Sequence, residues 1–499
     1  MIQQLTPGLI LSIISGYFLL LIVISWFTSK DSSNESFFLA GRKSPWFVVA
    51  FGMIGASLSG VTFISIPGAV GAGAENQAFA YMQIVFGYLL GYVVIALVLL
   101  PLYYRLNLTS IYSYLEQRLG FFSYKTGAAY FLLSRAIGSS FRLFLVAIVL
   151  QRFVMDYYGV PFWLTVFLTI VLIWVYTFRG GIKTVVYTDT LQTLCMVASV
   201  ILTIVVIARS LETDLGGLAA MVRNSEYAQM FFFKGGWNDP NNFFKQFLSG
   251  ALITIVMTGL DQDMMQKNLT CRSLRDAQKN MFTFSFILIF VNFLFLTLGA
   301  LLYIYASSLG LDTPERSDQL YPMIAFNHLP AFAGIVFVLG LIAAAYSSAD
   351  STLTALTTSF CIDFLDLYNK DQTEAQKKRT RTIVHISMSL LLFFIVLFFA
   401  ALNNDAVINQ LFKAAGYTYG PLLGLFAFGI LTRRRLQDSW IVVAICVAAP
   451  VLSFVLDTYS AQWLYGLKFG FLILAVNGLL TFLGLLAISK PGEAAEETT

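Results

Sequence analysis

The stretch GMIGASLSGVTFISIPGAVGAGAE, residues 52–75, is apolar enough to cross a membrane but too rich in helix breakers to form one straight helix. Glycines recur along it, and Pro67 removes a backbone hydrogen-bond donor. A broken helix at membrane depth frees backbone carbonyl and N–H groups, which is tolerated only where they line a cavity or bind a ligand. The stretch therefore predicts an interrupted helix beside a polar cavity.

A second interrupted stretch, LSGALITIVMTGLDQDMMQKN at residues 248–268, has a similar fault around residues 259–261. Glycines also serve close helix packing, which would explain either stretch alone. The two stretches, however, lie five predicted spans apart, and broken helices at matching positions of two halves are typical of inverted-repeat transporters. The pair therefore favours two five-helix halves with a binding site between them.

The whole chain has the composition of a polytopic α-helical membrane protein. Of its 499 residues, 58% are hydrophobic and only 12% are charged, with a mean hydropathy of +0.76, whereas a soluble chain carries about twice that charge. Apolar runs long enough to span a bilayer recur along it. We predict thirteen spans, at residues 8–29, 46–74, 77–104, 124–152, 160–178, 184–208, 244–266, 280–306, 329–364, 380–402, 406–432, 438–457 and 463–489.

These spans form one predicted transmembrane domain, residues 1–489, in which no cleaved signal peptide is expected. Its parts are an extra N-terminal helix, two five-helix repeats and two C-terminal helices, at residues 8–29, 46–208, 244–432 and 438–489. Lysine and arginine concentrate in alternate loops, such as those with Arg42, Arg272 and Arg433, and this excess marks the cytoplasmic side. We therefore expect a cell-membrane protein with its N-terminus outside and an acidic cytoplasmic tail, residues 490–499.

The ninth span contains AAAYSSADSTLTALTTSF, residues 343–360, in which hydroxyl groups surround one carboxylate. On a helical wheel Ser347, Ser348, Asp350 and Ser351 fall on one side, facing the bundle interior. A lone Ser or Thr usually bonds its own backbone, but a buried carboxylate needs a cation, donors or a proton. Such a cluster of oxygens suits a hard cation such as Na⁺, and a proton on Asp350 is the alternative.

Other charged side chains also fall within predicted spans. Asp189 is either a carboxylate at a helix N-terminus or a second cation ligand or relay. Arg135 and Arg142, seven residues apart on one helix face, either pair with Asp261, Asp350 or Asp189 or meet an anionic substrate. No Ser/His/Asp or two-His arrangement falls at matching membrane depth, so an enzyme is not expected.

The cysteines and basic residues disfavour other classes of site. The four cysteines lie far apart with no CxxC motif, which favours free thiols over disulfides or a metal site, at Cys195, Cys271, Cys361 and Cys446. The basic residues lie in short loops, so nucleic acid is not an expected partner.

Taken together, the motifs resemble the sodium:solute symporter family, whose members include sodium/glucose, proline and sialic-acid symporters. The similarity covers essentially the whole chain and rests on SFFLAGRKSPWF, SLSGVTFISIP, GGIKTVVYTDTLQ, DQDMMQK and the hydroxyl-rich helix. The resemblance implies an all-α, leucine-transporter-like fold of 5+5 inverted helices. It also implies a secondary active transporter that carries a small organic solute into the cell with Na⁺ by alternating access.

The resemblance further implies site residues, carried over position by position. A sodium site would use backbone carbonyls and two hydroxyls, from Gly55, Leu58, Ala344, Ser347 and Ser348. A second sodium, used by some members, would meet Asp189, Asp350 and Ser351, although a hydroxyl residue is usual at position 350. Solute-facing positions would be Ser57, Ser59, Gly60, Thr62, Gln83 and Asp261, with Arg135 and Arg142 as further candidates.

The expected cargo is a sugar, polyol or similar solute, because hydroxyl and amide groups dominate these positions. A proton-coupled symporter that uses Asp350 and Asp189 is the alternative, and a membrane sensor without transport is less favoured. Sodium is the expected cofactor, and the other expected partners are the solute and membrane lipid, with a monomer as the working expectation. The identity of the solute and the number of coupled ions stay open.

Overall fold

The computed structural model describes residues 6–29, 33–73, 75–367, 372–402, 413 and 415–491, which leaves most of the predicted tail outside the described residues. Most of the described chain is helical. The helices are α1 Pro7–Thr28, α2 Asn34–Leu39, α3 Trp46–Ser57, α4 Gly60–Ala69, α5 Tyr81–Arg105, α6 Ser113–Arg118, α7 Phe121–Leu150, α8 Phe162–Thr177, α9 Ile182–Ser210, α10 Leu215–Arg223, α11 Phe243–Gly259, α12 Gln262–Leu269, α13 Leu274–Ser308, α14 Leu320–Asn327, α15 Ala331–Phe364, α16 Glu374–Leu402, α17 Ala415–Leu431, α18 Trp440–Trp463 and α19 Gly470–Ala487.

Shorter elements connect these helices. A π-helical turn continues α7 at Gln151–Met155, and 3₁₀ turns lie at Ala40–Arg42, Asp156–Tyr158, Glu226–Ala228, Gly236–Asn238 and Ser317–Gln319. Two short antiparallel strands, β1 Arg435–Leu436 and β2 Ser489–Lys490, join the segments that follow α17 and α19.

In the described part of the chain a helix lies at each predicted span, and nine to eleven of these spans are long and apolar enough to cross a membrane. Nine helices are long and apolar enough to cross a membrane, two bent helix pairs each form one broken span, and α8 and α17 are shorter apolar helices. Together these segments account for the thirteen predicted spans, although the predicted start of the eleventh, residues 406–412, lies outside the described residues. Helix α13 begins at Leu274 rather than residue 280, because the Ser273 side chain caps it by accepting from the Asp276 N–H.

Both predicted interruptions are present as sharp bends. Helices α3 and α4 meet at 59°, and α11 and α12 meet at 64°. The first bend lies at Leu58 and Ser59, whose backbones leave the helical conformation, with ψ of 83° and 177°. At the second bend the Asp261 carboxylate caps α12 by accepting from the N–H groups of Asp263 and Met264. Each five-helix half therefore opens with a broken helix.

Helices α5 and α11 approach each other backbone to backbone, which holds one wall of the bundle in place. A side chain at Gly87 would overlap the Phe247 carbonyl, and one at Gly250 would overlap the Ile84 carbonyl. Gly87 and Gly91 lie one helical turn apart, and this spacing of small residues lets membrane helices pack closely.

Helix α15 is the central element of the bundle. Its residues from Ala343 to Ser359 are all buried, and it packs against α3, α4, α7, α9 and α16. The hydroxyl-rich face is therefore turned toward protein, as the helical wheel predicts.

Candidate functional site

The first broken span faces the hydroxyl-rich part of α15. A side-chain carbon at Gly55 would lie 3.0 Å from the Ser347 hydroxyl and 3.3 Å from the Asp189 carbonyl oxygen. Because α3 ends at Ser57, its last carbonyls have no partner in a following turn. Of the residues predicted to hold sodium, Gly55 therefore lies against Ser347 of α15, and Leu58 lies at the bend that follows α3.

Both serines of the predicted sodium site bond charged groups. The Ser347 hydroxyl donates to Asp189 Oδ1 at 2.6 Å, and Arg142 Nη1 donates to the Ser348 oxygen at 3.0 Å. Both serines are fully buried, and Ala344 lies one turn before Ser348 on the same helix. Each hydroxyl oxygen keeps a lone pair that can contact a cation.

Asp189 also forms a buried ion pair. Lys267 Nζ lies 2.6 Å from Asp189 Oδ2, and the two side chains are 1% and 0% exposed. The pair ties α12, just beyond the second bend, to α9 and thereby to Ser347. This contact was not predicted from the sequence.

The Asp350 carboxylate accepts hydrogen bonds from a tyrosine and from a backbone N–H. Tyr176 donates to Asp350 Oδ2 at 2.8 Å, and the Ser351 N–H donates to Oδ1. In the part of the chain that the structure describes, no Lys, Arg or His nitrogen lies within 4.0 Å of this carboxylate. The Ser351 hydroxyl next to it is buried without a hydrogen-bond partner there. Carboxylate and hydroxyl together suit either a second small cation or a protonated acid.

An open cavity of about 730 Å³, its mouth included, lies beside the first bend. Five of its lining residues are among the predicted solute-facing positions, namely Ser57, Ser59, Thr62, Arg135 and Arg142, and Leu58 of the predicted sodium site also lines it. Further polar residues that sequence reasoning missed are Tyr81, Tyr88, Tyr92, Thr254, Thr258 and Asn292. The tyrosines share one face of α5 because they are spaced by seven and four residues, and this stripe is the signal that could have revealed them.

Three predicted solute-facing residues make other contacts. Gln83 donates to the Asn241 carbonyl at 2.9 Å and to Gln246 Oε1 at 2.8 Å. Asp261 accepts from the Tyr419 hydroxyl at 2.6 Å while it caps α12. Gly60 leaves room for Val146, with which a side chain there would overlap.

The two arginines of α7 differ in their partners. Arg135 is bound by the carboxylate of Asp263, and its Nη1 lies 3.7 Å from Asp261 Oδ2. Arg142, by contrast, has no carboxylate oxygen within 4.0 Å among the described residues, and its Nε is buried there without a partner. One wall of the cavity therefore carries a positive charge that adjacent carboxylates do not neutralise.

Comparison with known proteins identifies the family. Residues 37–438 match the model of the sodium:solute symporter family. The chain belongs to this family. It is therefore a multi-pass membrane protein and a sodium-coupled solute symporter, and the family and its structural neighbours are transporters rather than enzymes.

Several relatives align over most of this symporter. The sodium/sialic acid symporter NanT of Aliivibrio fischeri is 26% identical over 480 residues, covering 91% of this chain and 89% of that protein. The sodium/sialic acid symporter SiaT of Proteus mirabilis is 22% identical over 460 residues, covering 89% and 88%. The human sodium/iodide cotransporter is 25% identical over 411 residues, covering 80% and 61%.

Solved structures show the same fold. A Na⁺-coupled sialic acid symporter in a substrate-bound outward-open state superposes with a TM-score of 0.81 at 19% identity, over 96% of this chain and 98% of that one. The nucleobase-cation-symport-1 transporter Mhp1 gives 0.54 at 13% identity, over 92% and 95%. The symporter thus has the predicted leucine-transporter-like fold.

Proposed function

We propose that this symporter carries a small, hydroxyl-bearing organic anion into the cell together with Na⁺, and that Arg142 binds the anionic group. The observation that carries the proposal is the Arg142 guanidinium, which lines the cavity without a carboxylate partner among the described residues. A buried guanidinium needs a counter-charge, and arginine binds planar carboxylates with two hydrogen bonds.

The remaining lining suits a hydroxylated cargo. Hydroxyls of Ser57, Ser59 and Thr258 supply donors and acceptors, and the faces of Tyr81 and Tyr88 supply apolar surface for the carbon skeleton. Arg135 lines the same cavity, but its partner Asp263 already balances its charge. An acidic sugar or a hydroxylated monocarboxylate fits this combination.

The names of the relatives point the same way. They specify sialic acid, iodide and, for a monocarboxylate transporter of Xenopus laevis that is 27% identical over 424 residues, monocarboxylates. Each of these cargoes is an anion, which supports an anionic rather than a neutral sugar-like cargo for this symporter.

Arg142 also connects the solute cavity to the sodium site. Its Nη1 lies 3.0 Å from the Ser348 oxygen, so a cation bound at that oxygen would lie roughly 5 Å from the guanidinium. Two unit charges at that separation repel by about 3 kcal/mol at an effective dielectric constant of about 20. A solute anion on Arg142 removes this repulsion, so sodium and solute each raise the affinity for the other, as coupled transport requires.

The broken helix supplies the conformational step of alternating access. With the N-terminus outside, sodium reaches the carbonyls of Gly55 and Leu58 and the hydroxyls of Ser347 and Ser348 from the outer side. Sodium then holds α3 against α15 and orders Ser57 and Ser59 for the solute. Movement of α15 away from α3 separates the two sets of oxygens and releases both cargoes inward.

A thermal-shift screen of the purified symporter tests this function. We expect hydroxylated carboxylic acids to stabilise it in sodium but not in choline, because bound ligand adds to stability only where the site is complete. Arg142→Gln should abolish that shift and sodium-driven uptake in proteoliposomes. Arg179→Gln, a change of an exposed arginine outside the cavity, is the control. Equal stabilisation by the neutral amides of the same acids would refute the role of Arg142.

Proton coupling is the second candidate, and the buried Asp350 carboxylate without a described cation partner is the observation that favours it. Uptake driven by a pH gradient in sodium-free vesicles separates the two candidates. If the solute accumulates there as well as in sodium, and Asp350→Asn stops it, the sodium-coupled mechanism proposed for this site is wrong.

A further inference from the structure

A second cavity, which shares no lining residue with the solute cavity, opens where α5, α6 and α17 end together. It measures about 1130 Å³ with its mouth included. Its lining residues are Val98, Pro101, Leu102, Arg105, Tyr114, Arg118, Gly429, Ile430, Thr432 and Arg433. Three of them are arginines and none is acidic. We call this cavity the arginine groove.

Arg118 binds only backbone carbonyl oxygens in the described contacts, so its positive charge is not neutralised by them. Its guanidinium donates to the carbonyl oxygens of Gly429 at 3.1 Å and Thr432 at 2.6 Å, and to that of Arg434 at 3.2 Å. These acceptors are neutral, so they fix the chain after α17 against α6 but leave the positive charge in place. The fixed segment includes Arg433, which lines the groove together with Arg105, and both of these arginines are exposed.

The other wall of the groove is apolar and continues onto the outer surface of the bundle. Val98 and Ile430 line it, and next to them Leu97 is 58% exposed and Leu431 is 76% exposed. Exposed leucines on a membrane span face acyl chains. The groove therefore presents positive charge at the end of the spans and apolar surface along them, which is the polarity of one phospholipid molecule.

We propose that the arginine groove binds an anionic phospholipid, with its phosphate between Arg105 and Arg433 and its acyl chains along Val98 and Ile430. Both arginines belong to the set of basic loops that the sequence predicts on the cytoplasmic side. The lipids of that leaflet carry the anionic headgroups, and basic pockets between spans bind them. The bound lipid would join α5, which carries the tyrosines of the solute cavity, to α17.

The test uses the full-length symporter in neutral detergent, with lipid retention measured by native mass spectrometry and stability by thermal shift. Phosphatidylglycerol should bind and raise the melting temperature, whereas phosphatidylcholine with the same acyl chains should not. The double variant Arg105→Gln/Arg433→Gln should bind phosphatidylglycerol at least about tenfold more weakly. The matched control Arg179→Gln/Arg272→Gln removes two exposed arginines from other basic loops and should bind like the wild type.

Three results would overturn the proposal. Equal binding of phosphatidylcholine would show an unspecific apolar groove, and equal stabilisation by inorganic phosphate would show a site for free anions. Retention of phosphatidylglycerol in the double variant would place the lipid elsewhere. If the double variant does not fold, the single variants Arg105→Gln and Arg433→Gln answer the same question, since each should weaken lipid binding in part.

Discussion

Ser348 contacts the Arg142 guanidinium and is proposed also to contact the bound sodium ion. Its oxygen accepts from Arg142 and is one of the proposed sodium ligands. Ser348→Ala removes one sodium ligand and one hydrogen bond to a charged group, a loss of about 1.5–3 kcal/mol. We expect the sodium concentration for half-maximal uptake to rise about tenfold or more.

Sodium-dependent uptake in proteoliposomes measures this change. Ser389→Ala is the control, because Ser389 on α16 only bonds the His385 carbonyl of its own helix. An unchanged sodium dependence in Ser348→Ala would remove Ser348 from the sodium site.

The Lys267–Asp189 pair decides whether Asp189 holds a second sodium. Lys267→Met leaves a buried carboxylate without its cation, which destabilises a protein by about 3–5 kcal/mol. If Asp189 is a sodium ligand, added sodium should restore much of that stability, and the Hill coefficient for sodium should rise. The double variant Asp189→Asn/Lys267→Met removes both charges and should show neither effect. Loss of stability that sodium does not restore would make Asp189 purely structural.

The sequence indicates which residue types meet at this site, but not which partners pair. Hydroxyl spacing indicates Ser347 and Ser348, and the family resemblance adds Gly55. The ion pair between Lys267 and Asp189 joins residues 78 positions apart, and no local pattern selects one lysine among several for one carboxylate. The same limit left Arg135 and Arg142 equivalent until their contacts with Asp263 and Ser348 separated them.

At the scale of the helices, α3 and α15 pack so closely at Gly55 that a single added methyl group should separate them. A side-chain carbon at Gly55 would lie 3.0 Å from the Ser347 hydroxyl and would overlap that of Thr193. Gly55→Ala should therefore push the broken helix away from α9 and α15 and weaken sodium binding at least tenfold, measured as the sodium dependence of thermal stability.

Gly16→Ala is the matched control, because nothing lies within 4 Å of a side chain there. Alanine is favoured over glycine within a helix by about 0.5–1 kcal/mol, so this variant should transport normally and be slightly more stable. Normal sodium affinity in Gly55→Ala would mean that α3 and α15 do not form the sodium site.

The elements themselves were largely predictable, because apolar runs of sufficient length define spans whatever their partners. The helix breakers alone, however, did not fix the position of the first bend. Pro67 remains inside α4, and Gly68 and Gly71 allow close contact with Ser317 and Tyr303 rather than a break. Glycines in residues 52–75 therefore serve helix breaking at some positions and close packing at others. Only the tertiary contacts show which glycine has which role.

For the whole molecule, the proposed charge of the cargo fixes how much work the gradients perform. A monoanion carried with one sodium moves no net charge, so a tenfold sodium gradient supports about tenfold accumulation. With two sodium ions one positive charge moves, and adding 100 mV supports accumulation on the order of 5,000-fold. Uptake under an imposed potassium-diffusion potential measures this, since voltage should accelerate transport only in the two-sodium case.

The N-terminal helix α1 contacts residues that lie around the Asp350 carboxylate. Ser25 donates to the Tyr176 carbonyl at 2.5 Å, and the Phe18 ring lies 4.8 Å from that of Tyr346. Tyr176 in turn holds Asp350. The N-terminal helix thus helps to position a buried carboxylate in the centre of the bundle. A substitution in α1 that moves Tyr176 would therefore change the surroundings of Asp350 while every proposed sodium ligand stays the same.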